Sequence, residues 1–77
     1  MFIKLHGVKN IRMIINIDEI KAIQEITEDS KHAVYLESGA KTLIHIDDKL
    51  LPIKESIIQV ENKLKKLGAL GGAADER

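Results

Sequence analysis

The sequence has no cysteine and no tryptophan, and only one proline, one phenylalanine and one tyrosine. Without thiols there are no disulfide staples and no thiolate metal sites, and the redox compartment stays open. Phe2 and Tyr35 are the whole aromatic inventory, a poor supply for stacking on nucleobases. Net charge is missing too: 12 basic side chains balance 12 acidic ones. That argues against a protein driven mainly by phosphate contacts. No apolar run approaches the ~20 residues needed to span a bilayer. Met1 to His6 carry no long apolar run behind a basic start, so no secretory signal is expected. A soluble, cytoplasmic protein is the expectation. What the chain does have is isoleucine, in thirteen copies, within an apolar share of 44% over 77 residues. Its core must be aliphatic and β-branched, which favours strands. The length allows one small domain.

The first half alternates as strands do. Ile3 and Leu5 flank Lys4, and Gly7 with Lys9-Asn10 offers a turn. Positions 11, 13, 15 and 17 then form one apolar face, with Arg12, Ile14 and Asn16 on the other. The two segments should pair as a hairpin. Ile17, Ile20, Ile23 and Ile26 recur every third residue, a spacing open to helix or strand. The reading adopted is a helical turn at Asp18-Glu19-Ile20 and a strand from Lys21 to Thr27. Glu28 to Lys31 is a polar turn. Ala33 to Leu36 reads as a short strand, Ser38-Gly39 as a turn, and Thr42 to Ile46 as the last strand.

The period then changes. Leu50, Ile53, Ile57, Val60, Leu64 and Leu67 fall at alternating spacings of three and four, a helical stripe. Pro52 fits the first helical position and Gly68 the C-terminal cap, so a helix is predicted from about 52 to 67. Residues 68–77 should be a flexible tail. The expected fold is α+β: a small antiparallel β-meander of about five strands in residues 1–67, with one C-terminal helix packed on it. The predicted core is Ile3, Leu5, Met13, Ile15, Ile17, Ile20, Val34, Leu36, Ile44, Ile46, Ile57, Val60 and Leu64.

Candidate chemistry is sparse. His6, His32 and His45 show no metal-ligand spacing. Only His6 and His45, on predicted strands, would meet if those strands paired. The pairs Asp18-Glu19, Glu28-Asp29 and Asp47-Asp48 fall at strand ends, where acids serve turns and caps, and the calcium-loop pattern is absent. No nucleophile elbow, phosphate loop or dinucleotide fingerprint occurs. No catalytic, metal or cofactor residue is assigned, and no enzyme is expected.

Association gives the stronger signal. Phe2, Ile14 and Leu43 fall opposite the core positions, and Leu51 and Ile58 lie beside the helical seam. Together they form a candidate interaction surface, most simply for a second copy. Lys63, Lys65 and Lys66 are a candidate basic patch, which keeps nucleic acid as the alternative partner. The neutral total also hides segregation: residues 1–17 carry +3, 18–37 carry −4 and 52–67 carry +2. Opposite patches on one small domain suit head-to-tail or self-complementary pairing.

The order of elements resembles that of the FlbD-like proteins, short bacterial chains found beside flagellar genes and in phage-like contexts. The matching stretches are Ile3-Lys4-Leu5, Ile15 to Ile20 leading into Ile23-Gln24-Glu25, Val34 to Gly39, and Glu55 to Val60. Ile46 to Lys54 reads as an insertion relative to that pattern, and the tail is extra. The resemblance implies a non-enzymatic bacterial or phage-associated protein, with no binding residues to carry over. Asn16 to Gly39 also resembles the front half of LytTR-type DNA-binding domains, whose later DNA-contacting segment has no counterpart here.

Overall fold

A computed structural model describes residues 1–68. Five antiparallel strands lie in two sheets, followed by a helix. Strands β1 (Phe2–His6) and β2 (Arg12–Asn16) form a hairpin in which Ile3 faces Ile15 and Lys4 faces Ile14. Its connection bends through Lys9 and Asn10, both at φ 62°, at the turn read from the sequence. Strands β3 (Ile20–Glu25), β4 (Thr42–Ile46) and β5 (Lys49–Ile53) form the second sheet, with β4 central. A bridge pairs Gly7 with Ile53, and the Lys54 N–H donates to the His6 carbonyl at 2.7 Å. The end of β1 is thereby docked on the end of β5. Helix α1 (Ile57–Lys66) closes the fold.

The ambiguous threefold period resolves into two devices. Ile17–Glu19 is one 3₁₀ turn, capped by the Asn16 side chain on the Asp18 N–H. β3 then carries a bulge between Ile20 and Ala22. The extra residue, Lys21, lets Ile20 and Ile23 share a face although three positions apart. Ile20 and Ile23 pack on the main core, built from Ile3, Leu5, Ile15, Ile44, Ile53, Val60 and Leu64.

Two predicted elements are corrected. Ala33 to Leu36 is not a strand but part of a 3₁₀ helix, Ala33–Ser38, ended by Gly39 at φ 92°. Both edges of β4 are taken by β3 and β5, so this segment has no place beside it. It covers the other face of the sheet instead, packing Tyr35 and Leu36 against Ile26, Ala40 and Leu43. Val34, expected in the core, is 64% exposed. The helix does not begin at Pro52, because residues 49–53 are β5. Proline is tolerated on an outer strand of a sheet. The apparent insertion at Ile46 to Lys54 is thus the β4–β5 hairpin, turning through Asp47 at φ 51°.

The helix starts after Ser56, whose hydroxyl accepts from the Gln59 N–H while the Gln59 side chain accepts from the Ser56 N–H. This reciprocal box satisfies two otherwise orphaned donors. At the other end Gly68, at φ 83°, donates to the Lys65 carbonyl as the predicted cap. The remainder of the expected tail lies outside the described residues. Among those described, no helix is long and apolar enough to cross a membrane.

Candidate functional site: the outer face of the first hairpin

Alternation along β1 and β2 sends Ile3, Leu5 and Ile15 inward, where they are buried. It sends Phe2, Lys4 and His6 outward, opposite Asn16, Ile14 and Arg12. Phe2 is 60% exposed and Ile14 67%. They sit on adjacent same-face positions of the ladder, the diagonal arrangement in which large side chains reach one another. Every charged residue on this face is basic: Lys4, Arg12 and, when protonated, His6. Lys66 and Leu67 of the helix end line a shallow groove with Phe2 and Lys4.

The hairpin is held in place from beneath by Glu55, in the short link between β5 and α1. Glu55 is 8% exposed. It accepts from the His6 backbone N–H at 2.9 and 3.1 Å, and from the His6 ring Nδ1 at 2.7 Å. An ionised carboxylate can only accept, so Nδ1 carries the proton in this contact. Lys63 Nζ lies 3.5 Å away and donates to the Lys4 carbonyl at 2.8 Å. The Glu55 carbonyl accepts from the buried Thr42 hydroxyl at 2.7 Å. Burial pushes the Glu55 carboxyl up. The bonds from the His6 side chain and N–H, with the Lys63 charge, outweigh it and hold it below its ordinary value. The carboxylate's bonding capacity goes to a backbone donor and a helix lysine as well as to the ring. That is the pattern of a tether between β1 and α1.

Three of the five predicted surface residues, Phe2, Ile14 and Ile58, are exposed. Leu51 is half-buried and packs on the main core. Leu43 is fully buried and leaves the candidate surface. It does lie on the sheet face opposite the main core, but the 3₁₀ segment covers that face. The basic patch divides. Lys63 is turned to Glu55 and Lys4, Lys66 lies beside Phe2, and Lys65 is exposed. His6 and His45 do not meet: His45 Nε2 contacts Gln24 at 3.1 Å. Among the described residues no group of three or more His, Asp or Glu is placed to hold a metal ion.

Reading the sequence alone missed two features. The Glu55 tether joins residues 49 positions apart, and no local pattern announces it. The Ser56-x-x-Gln59 box did carry a signal, the spacing of a helix start. Comparison of the chain with protein-family models, with curated proteins and with solved structures finds no match.

Proposed function

We propose that this chain is a small non-enzymatic protein-interaction module that works by self-association, in the bacterial or phage-related setting its resemblance implies. One observation carries the reading: the outer face of the first hairpin exposes Phe2 and Ile14, and its only charged side chains are basic. Apolar groups in a basic setting on a rigid, tethered hairpin are the makings of a docking face. The acidic segment from Asp18 to Glu37 supplies the opposite sign on the same chain. Sedimentation of the full chain at micromolar concentration tests it. Oligomers are expected, and an 8.6 kDa species alone overturns the proposal.

A second reading is a nucleic-acid-binding accessory. It is favoured by the exposed aromatic Phe2 standing beside Lys4 and Lys66. Such binding would weaken steeply with salt. The absence of any mobility shift with DNA or RNA at low salt removes it.

A further inference from the structure

The two sheets have four outer strand edges among the described residues. That of β1 is taken at His6 and Lys4 by Glu55, Lys54 and Lys63, and that of β5 carries Pro52 and bridges Gly7 at Ile53; those of β2 and β3 are left. They are not equally protected. β3 is bulged at Lys21, a device that blunts an edge against pairing. β2, Arg-Met-Ile-Ile-Asn, keeps a regular ladder with β1. It has no bulge and no proline, and an exposed isoleucine stands at its centre. Beside it runs a groove whose other side is Glu19, Ile46, Lys49 and Leu51, so an added strand would lie over Ile46 and Leu51 between one acidic and one basic side chain.

The phase of the backbone bonds says which groups this edge offers. Gly7 donates to the Ile11 carbonyl, and Ile17 donates to the Met1 carbonyl. In an antiparallel ladder bonded residues alternate, so the odd positions of β2 bond to β1. The N–H groups of Arg12, Ile14 and Asn16 therefore point away from it.

We infer that two copies of the chain pair through β2, antiparallel about a two-fold axis at Ile14; this rests on the self-association proposed above and names its geometry. In that register Ile14 meets the partner's Ile14, and Arg12 meets the partner's Asn16. All are positions whose N–H groups point outward, so the edges bond in phase. No like charges face each other directly. Met13 falls opposite the partner's Ile15 on the inner face, beside the groove. An isologous contact needs one patch complementary to itself, and this five-residue strand meets that condition in sequence and in bonding phase.

The test uses the full chain and two substitutions at an exposed position. Wild type should sediment as a dimer, and Ile14→Lys, which sets like charges across the axis, should weaken dimerisation by about a hundredfold or more. Its circular dichroism should be unchanged. Because the chain has no cysteine, Ile14→Cys introduces a single thiol and should give a covalent dimer on mild oxidation. Ile58→Cys, 64% exposed before substitution, should cross-link far more slowly. A wild type that stays monomeric overturns both this geometry and self-association. An oligomer that survives Ile14→Lys, with no faster cross-linking at position 14 than at 58, overturns the β2 pairing and leaves self-association standing.

Discussion

Replacing Glu55 with alanine should destabilise the fold more than any other single change at a charged residue. The carboxylate accepts from the His6 N–H, and a charge-assisted bond of this kind contributes roughly 1.5–3 kcal/mol. The His6 ring and Lys63 are themselves partly exposed, so solvent screening reduces each of those contacts to about 0.5 kcal/mol. The cost of Glu55→Ala is then roughly 2.5–4 kcal/mol, set against a total stability of roughly 4–12 kcal/mol for a chain of this length. Glu55→Gln keeps an acceptor for the N–H and loses the charge, for about 1–2 kcal/mol. His6→Ala leaves the backbone donor in place and should cost only about 0.5 kcal/mol. Urea unfolding followed by circular dichroism at neutral pH gives all three. If Glu55→Ala costs no more than His6→Ala, the backbone bond is not the anchor and the tether is wrong.

The same carboxylate sets a pH dependence of definite sign. Its folded pKa lies below the ordinary 4.5. Its stabilisation is therefore fully present above that value and is lost as pH falls through the folded pKa. The stability gap between wild type and Glu55→Gln should be constant at neutral pH and shrink on acidification. A gap that widens in acid would mean that the folded carboxyl is raised.

Leu43→Ala should cost about 2–5 kcal/mol, as for other fully buried leucines, while Ile14→Ala, measured at a concentration low enough to keep the chain monomeric, should stay within about 0.5 kcal/mol; chemical denaturation of both variants checks the placement of the two side chains. Ser56→Ala removes one half of the capping box and should cost about 1 kcal/mol, read from the thermal midpoint. The methyl group of Gly39→Ala would meet Lys54 Cε at 3.8 Å, an ordinary contact without a clash. The backbone at φ 92° should still cost about 1–2 kcal/mol, and an unchanged denaturation midpoint would contradict it.

Strict alternation was legible wherever one strand face met the core. The inward set Ile3, Leu5 and Ile15 and the outward pair Phe2 and Ile14 came from parity alone. The helix face of Ile57, Val60 and Leu64 came from its period. Parity names a face and says nothing of what covers it: it puts Leu43 on the face opposite the main core, and the 3₁₀ segment that buries that face leaves no local pattern at Leu43. Leu50 and Ile53 lie on opposite faces of β5, the one packing on the second cluster and the other in the main core. Their spacing merely happened to continue the stripe of α1 backwards. The helix start is marked instead by the Ser56-x-x-Gln59 spacing, four residues after Pro52. Pro52 fits a helix start and an outer strand equally well, because both tolerate the missing N–H.

The tether bears on how β2 can be tested. β1 is held by Glu55 at His6, by Lys63 at its Lys4 carbonyl, and by the Lys54 N–H beside the Gly7–Ile53 bridge. Those holds reach β1 or the turn that follows it. β2 takes its backbone bonds from β1 and sends Ile15 into the core, while Arg12 and Ile14 stay exposed. Substitutions on its outer face or edge therefore leave the anchoring of the hairpin intact. A change in oligomeric state at those positions reports on contact between copies, whereas the same change at Glu55 or Lys63 would be confounded with loss of the fold.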